Sequence, residues 1–257
     1  VKMRIVITND DGIEAKGIKS LTKAVSDLGD VFVVAPREPQ SAGSHATTLH
    51  KPLRVDEFPL NLGEKKSFRV SGTPADCVLL AVDILVKGKI DLVLSGINQG
   101  PNLGDDALYS GTVAGAREGA LNGIVSIAFS VNGFENPHYE TAAKFARIFT
   151  EKVAKSGIKS ETYFNVNIPD TEWGEIKGVK IVRQGKRRYT DRVMIGKDPF
   201  GKVYYWIGGK PVDSENSETD NGVVHAGYIS VTPMKVDLTD YELLKKIKNW
   251  EENFGGR

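Results

Sequence analysis

The sequence has few of the features that mark secreted, membrane or nucleic-acid-binding proteins. Cys77 is the single cysteine among 257 residues, so no intrachain disulfide can form and a reducing compartment is expected. Lys and Arg number 34 against 33 Asp and Glu, which leaves no excess charge to attract nucleic acid or an anionic membrane surface. No apolar run is long enough to span a bilayer. We expect a cytoplasmic protein with no membrane and no nucleic-acid partner.

Apolar segments of strand and helix length alternate through the first two thirds of the chain. Residues 5–7 are typical of a buried strand, helical spacing follows over 18–28, and a second buried strand covers 31–34. The alternation continues to a strand at 163–168. This order predicts an α/β fold with a Rossmann-like, doubly wound, mostly parallel sheet, which forms a catalytic domain over residues 1–177.

The pattern changes after Pro169. Three strand-like pieces lie outside the alternation, at 179–182, 203–206 and 228–232. Thr239 is a candidate N-cap for a terminal helix, and that helix carries an apolar stripe of Leu243, Leu244, Ile247, Trp250 and Phe254. We predict that residues 178–257 form an extended β-hairpin arm and a C-terminal helix. Because little chain remains to cover them, we expect both to serve assembly with a second copy.

Two adjacent carboxylates, Asp10 and Asp11, follow the first predicted strand. Open parallel α/β sheets bind ligands beyond the carboxyl ends of their strands, so this is a typical position for a site. A doubled negative charge repels phosphate unless a cation lies between them. Together with the amide of Asn9, the pair offers the hard oxygen ligands that Mg²⁺, Mn²⁺ or Ca²⁺ prefers. A plain turn with an N-cap is the alternative interpretation of these residues.

Two further loops at predicted strand ends carry polar side chains. One covers residues 41–45, and the other is the glycine-rich segment 95–104, which holds Asn98 and Asn102 between its glycines. Glycines let a backbone bend around a ligand while the two amides face it. Both loops therefore belong to the predicted site.

A helix of small residues is predicted over 112–121, and the segment 109–116 places hydroxyls and free amides at its start, which makes it a candidate phosphate site. Helix starts bind anions through free N–H groups, whereas the chain has neither a Walker sequence nor the pattern G-x-G-x-x-G that would indicate ATP or NAD. A metal beside a helix-bound phosphate is what metal-assisted phosphoryl hydrolysis requires. We expect Asp10 to orient or deprotonate a water, and we assign substrate binding to Asn9, Asn102, Ser110, Gly111 and Thr112.

Four ordered segments resemble the signature motifs of the SurE family of survival-protein phosphatases, which are 5'- and 3'-nucleotidases. They read MRIVITNDDG at 3–12, SGTPADCV at 71–78, SGINQGPNLG at 95–104 and YSGTV at 109–113. The similarity runs from Met3 to about Asp240. The loop after the second strand departs from the family pattern at Arg37 and Ser44, while Ser41 keeps its spacing to His45.

The resemblance implies a ligand set, a substrate class and an assembly. One divalent ion, Mg²⁺ or Mn²⁺, is expected to bind Asp10, Asp11, Ser41 and Asn98. The implied reaction is hydrolysis of nucleoside 5'- and 3'-monophosphates, with short polyphosphate as a further substrate. The implied assembly is a homodimer or homotetramer that exchanges its C-terminal arm.

A phosphorylation-controlled receiver domain is the alternative from another class. It shares the adjacent acids and the type of sheet, but it needs a phosphoacceptor Asp at the end of its third strand, where this chain has Ser95 to Asn98. A receiver is also about half as long. Incubation with acetyl phosphate separates the two classes, because a receiver keeps the phosphoryl label and a hydrolase releases phosphate.

Overall fold

A nine-stranded mixed sheet forms the centre of the protein in a computed structural model that describes residues 2–158, 161–213 and 216–254. Thirteen strands are described in all: β1 (Arg4–Thr8), β2 (Asp30–Pro36), β3 (Val55–Glu57), β4 (Lys66–Val70), β5 (Leu92–Gln99), β6 (Val125–Asn132), β7 (Thr162–Pro169), β8 (Val179–Ile181), β9 (Arg187–Thr190), β10 (Val193–Lys197), β11 (Val203–Ile207), β12 (Lys210–Asp213) and β13 (Ile229–Lys235). The main sheet has the order β3-β4-β2-β1-β5-β6-β7-β13-β8.

Helices cover both faces of this sheet. They are α1 (Lys16–Val25), α2 (Pro74–Leu80), α3 (Gly111–Leu121), α4 (Tyr139–Lys155), α5 (Asp220–His225) and α6 (Tyr241–Ile247). A π-helical turn, Ala81–Leu85, continues α2. The pairs α1 with α4 and α2 with α3 pack against each other. Side chains alternate along β1, so that Ile5 and Ile7 face the first pair while Val6 faces α2.

Six neighbouring strands of the sheet run parallel, in the order β4, β2, β1, β5, β6 and β7. This confirms the predicted doubly wound α/β fold. The chain winds from β1 to β2 and β4 on one side, then crosses to β5, β6 and β7 on the other. The strand order thus reverses between β1 and β5. In open α/β sheets the crevice at such a switch point is the usual ligand site, so the loops after β1 and β5 have the position that a site requires.

Helix starts follow from local side-chain caps. Thr73 and Asp76 form a capping box at α2, and the Ser110 hydroxyl accepts the Val113 N–H at α3. At α6 the cap is Asp240, whose carboxylate accepts the Leu243 N–H at 2.9 Å. The predicted cap, Thr239, is therefore wrong by one residue, because the aspartate side chain reaches the third helical N–H first.

Two of the three strand-like pieces predicted for the arm lie instead in the main sheet. β13 pairs antiparallel with β7, and β8 pairs parallel with β13. Ile229 and Val231 of β13 are buried in the same apolar cluster as residues of β6 and β7. The interpretation of 179–182 and 228–232 as arm is wrong, since these strands cover an edge of the sheet that would otherwise expose apolar side chains.

The remaining piece does form an arm. β10 pairs antiparallel with β11, and β9 pairs antiparallel with β12. The resulting ribbon exposes apolar side chains along its length, including Ile195, Tyr205, Trp206 and Ile207. At its root, Tyr189 donates its hydroxyl hydrogen to Asp106, and the Arg187 guanidinium lies 3.3 Å from the same carboxylate.

The terminal helix is also exposed. Leu243, Leu244 and Trp250 of the predicted stripe have large exposed fractions, while the side chain of Phe254 lies outside the described residues. Within the described part of the chain, no helix combines the length and apolarity that crossing a membrane requires. Whether residues 178–257 serve assembly stays a prediction.

Candidate active site

A cavity of about 310 Å³ opens where β1 and β5 end. It is lined by the loop after β1, by the loop at 41–45 (the second loop), by the glycine-rich loop at 95–104 and by the start of α3. Its lining residues are Asp10, Asp11, Ser41, Ala42, Asn98, Gln99, Gly100, Pro101, Asn102, Asp106, Tyr109, Ser110 and Phe134. The structure thus brings all four predicted metal ligands to one cavity, together with Asn102 and Ser110 from the predicted substrate set.

Asp10 is the most buried carboxylate of the cavity, at 6% exposure. Thr112 donates its hydroxyl hydrogen to Asp10 Oδ1. A Cβ on Gly111 would lie 2.8 Å from the Asp10 Cβ, so only glycine permits the helix start to approach this closely. Burial raises the pKa of Asp10 from 3.8 to about 6; the Thr112 hydrogen bond lowers it and the neighbouring charge of Asp11 raises it.

Asp11 and the glycine-rich loop are joined by the backbone of Gln99, whose N–H donates to Asp11 Oδ2 at 3.1 Å. Burial raises the pKa of Asp11 as well. Asn98 uses its amide nitrogen to donate to the carbonyl of Gly100 at 2.8 Å, which leaves its amide oxygen as the atom that can face a cation. The loop therefore presents a neutral oxygen ligand beside two carboxylates.

Asn102 is held by strands that the site prediction did not include. Its N–H donates to Asn167 Oδ1 at 2.8 Å, its amide nitrogen donates to Ser130 Oγ at 2.7 Å, and its carbonyl accepts from Asn165 Nδ2 at 2.8 Å. Asn165 and Asn167 are fully buried on β7. Two asparagines at a spacing of two in a buried strand were a usable signal, because buried amides need partners.

The second loop reaches the cavity through backbone contacts. Gln40 donates its N–H to the carbonyl of Asp10 at 2.7 Å, which fixes the segment just before Ser41. Ser44 donates its N–H to Tyr109 O at 2.9 Å and its hydroxyl hydrogen to Leu108 O at 2.8 Å. His45 lies 2.7 Å from a Glu118 carboxylate oxygen and does not line the cavity. Its contact with α3 positions the loop.

Two of the predicted substrate-binding side chains lie behind the cavity wall. Asn9 is fully buried and donates its amide nitrogen to the carbonyl of Gly12 at 2.8 Å. Thr112 is fully buried, and its hydroxyl and backbone N–H both stabilise charged Asp10. Both side chains shape the Asp10 turn, and their assignment to substrate binding stays a prediction. The assignment of Ser110 and Gly111 stays a prediction.

The donor set fits one hard divalent cation. Two carboxylates, one amide oxygen and one hydroxyl share the cavity, and such oxygen ligands suit Mg²⁺ or Mn²⁺. Across the residues that the structure describes, no three His, Cys, Asp or Glu side chains group closely enough to hold a metal by themselves. A cation here would therefore depend on neutral oxygens as well as on Asp10 and Asp11.

Comparison with known proteins gives the same family throughout. A family model described as survival protein SurE matches residues 5–191. The 5'-nucleotidase SurE of Thermosipho melanesiensis is 46% identical over 252 residues, covering 98% of each chain, and that of Heliobacterium modesticaldum is 45% identical, covering 96% of this chain and 92% of the relative. The crystal structure of the SurE protein from Aquifex aeolicus superposes with a TM-score of 0.85 at 45% identity and covers 96% of this chain and 99% of that one. This chain belongs to the SurE family of survival proteins.

Proposed function

We propose that this protein hydrolyses nucleoside 5'-monophosphates to nucleoside and phosphate with the help of one divalent metal ion. Relatives that share nearly its full length are named 5'-nucleotidase, which makes it an enzyme of the phosphoric monoester hydrolase class. One observation carries the metal-dependent mechanism: Asp10 and Asp11 share a cavity with Asn98 and Ser41 at the switch point of the sheet. Nucleoside 3'-monophosphates and short polyphosphate are proposed as further substrates.

The proposed ligands of the ion, Mg²⁺ or Mn²⁺, are Asp10, Asp11, Ser41 and Asn98. Burial raises the pKa values of both aspartates, so a nearby positive charge would favour their ionised forms. A bound divalent ion would supply that charge, neutralise phosphoryl oxygens and lower the pKa of a water. Gln99 and Thr112 hold the two carboxylates in place through the hydrogen bonds described above.

The phosphate is proposed to lie at the start of α3. Ser110 lines the cavity and caps this helix of eleven residues, so the positive end of the helix dipole lies at the cavity wall. We assign phosphate binding to the Ser110 hydroxyl and the Gly111 backbone, with Asn102 alongside. Asp10 would orient and deprotonate the attacking water, and no covalent phosphoenzyme is required.

A receiver function has no acceptor in this fold. β5 corresponds to the third parallel strand of a receiver, the strand that ends with the phosphoacceptor aspartate. Here its end carries Ser95 and Asn98 and no aspartate. Acetyl phosphate should therefore be hydrolysed without labelling the protein.

Phosphate release from a substrate panel tests the proposal directly. The metal-free protein should be inactive toward AMP and GMP, and Mg²⁺ or Mn²⁺ should restore turnover. Asp10→Asn should lower kcat by at least about a hundredfold, since general base catalysis alone contributes about that much. Asp30→Asn is the matched control, because this carboxylate pairs with Lys65 at the start of β2, far from the cavity. Full activity in EDTA, or in the Asp10 variant, would contradict the proposal.

Location and assembly are part of the same proposal. We propose a cytoplasmic enzyme, as the composition predicts, and a homodimer or homotetramer held by the arm and the terminal helix. The support for assembly is the row of exposed apolar side chains on β10, β11 and α6.

A further inference from the structure

Two aromatic rings stand at the mouth of an otherwise polar cavity. Phe134 and Tyr109 both line it, and they are 69% and 62% exposed. Neither ring takes part in the proposed chemistry. Exposed aromatic side chains beside a polar site are informative because their flat faces can stack on a planar ligand.

The Phe134 ring lies close to the reacting groups. A Cβ on Gly100 would lie 2.8 Å from Phe134 Cε1, so the ring packs directly over that glycine. Gly100 follows Gln99, whose N–H binds Asp11, and the Gln99 side chain donates to the carbonyl of Phe134. Gln99 thus links Phe134 to Asp11, a proposed metal ligand, through two hydrogen bonds. Any side chain at position 100 would displace the Phe134 ring.

The loop that carries Phe134 is fixed at both ends. Gly133 donates its N–H to Val131 O at 2.9 Å, and His138 donates its N–H to Asp170 at 2.8 Å. Lys16 donates to the Asn136 side chain at 3.2 Å between these two points. Because the backbone on both sides of Phe134 is held in this way, less loop entropy is lost when a ligand stacks on the ring.

We infer that Phe134, with Tyr109 as a second ring, forms the stacking platform for the nucleobase of the substrate. The inference rests on the proposed function and deepens it. A phosphate at the start of α3 leaves the rest of a nucleotide to extend toward the cavity mouth, where a flat aromatic base is the part that matches two exposed rings. Stacking accepts every base because each has a π face, and purines offer more of it than pyrimidines.

The test compares substrates with and without a base. The measured quantity is the ratio of kcat/KM for AMP to kcat/KM for ribose 5-phosphate, which keeps the sugar and the phosphate. Phe134→Ala should lower this ratio roughly 5- to 150-fold, the range expected for loss of one base-aromatic contact. Phe134→Tyr keeps a ring and should keep the ratio. Phe200→Ala removes a still more exposed ring, between β10 and β11 of the arm, and is the matched control.

Binding of adenosine gives a readout that does not depend on turnover. Calorimetry should show weaker adenosine binding to Phe134→Ala than to the wild type and to Phe134→Tyr. A ratio that stays within about twofold of wild type, or unchanged adenosine binding, would overturn the inference. Absence of phosphate release from every monoester in the wild type would instead refute the proposed function, and adenosine binding would still decide the role of Phe134.

Discussion

Asp10 combines burial with negative charge, and this should make the metal-free protein less stable. A carboxyl whose pKa is raised on folding binds more protons in the folded state, so stability falls as pH rises from about 4 to about 6 and stays reduced above that range. Raising the pKa from 3.8 to about 6 corresponds to about 3 kcal/mol. In EDTA at pH 8, Asp10→Asn should therefore raise Tm by several degrees.

The same variant should respond differently to metal. Mn²⁺ should raise the Tm of the wild type and leave that of Asp10→Asn nearly unchanged, because only the wild type has all four proposed ligands. Scanning calorimetry with and without Mn²⁺ measures both effects. A lower Tm for the variant in EDTA at pH 8 would show that burial does not penalise the Asp10 charge.

Thr112 has a clear role in keeping Asp10 ionised. Thr112→Val removes a donor to the charged carboxylate, so the pKa of Asp10 should rise further and protons should compete better with the metal. The apparent affinity for Mn²⁺ should fall more at pH 6 than at pH 8. Thr112→Ser keeps the hydroxyl and should restore the wild-type dependence; an equal loss at both pH values would indicate general damage to the helix start.

Much of the site could be predicted at the residue scale. Asp10, Asp11 and Asn98 stand out because paired acids and loop amides have few other reasons to occur together at strand ends. Phe134 could not be assigned from the sequence, since an isolated aromatic residue in a loop carries no periodic signal. The hydrogen bonds of Asn9 to Gly12 and of Thr112 to Asp10 could not be predicted either, because such contacts leave no trace in sequence spacing.

At the scale of elements, β7 supports the glycine-rich loop through its two buried asparagines. Asn167→Ala should leave the Asn102 N–H without its acceptor and cost about 1–3 kcal/mol of stability. It should also lower kcat for AMP, because the loop that carries Asn98 and Asn102 loses its anchor. Denaturant unfolding and steady-state kinetics measure the two effects.

Ser126→Ala provides the matched control. Ser126 is buried on β6 and donates its hydroxyl hydrogen to Ile124 O at 2.9 Å, at the opposite end of the strand from the site. Its loss should cost similar stability without changing kcat. If both variants reduced kcat alike, stability rather than loop position would explain the effect.

Element prediction succeeded where strands and helices alternate and failed where the sheet gains strands from distant segments. β1 to β7 follow the periodicity of their apolar residues. β8 and β13 are separated in sequence by the arm, and nothing local distinguishes a strand that returns to the main sheet from one that projects. The register of β13 against β7 depends on the shape of the exposed edge.

At the scale of the whole molecule, the exposed apolar surface predicts association. Trp206 and Ile207 of the arm and Leu243 of α6 are largely exposed, a surface that isolated chains rarely maintain. Light scattering at micromolar concentration should give the mass of a dimer or tetramer. Truncation after Val236 should reduce the number of chains in the particle if the terminal helix contributes to assembly. A monomer mass for the intact chain would contradict the prediction.

The hydrogen bonds of Asp220 determine when the glycine-rich loop can fold during synthesis of the chain. One oxygen of this buried carboxylate accepts the Gly104 N–H at 2.9 Å and the other accepts the Gly185 N–H at 2.8 Å, so the end of the glycine-rich loop is tied to a residue 116 positions later. Contacts of such long range form late, and synthesis proceeds at about 5–20 residues per second. A nascent chain therefore carries both aspartates for about 10–40 seconds before Asp220 is made and can bind the glycine-rich loop, and no fragment that ends before α5 should turn over substrate.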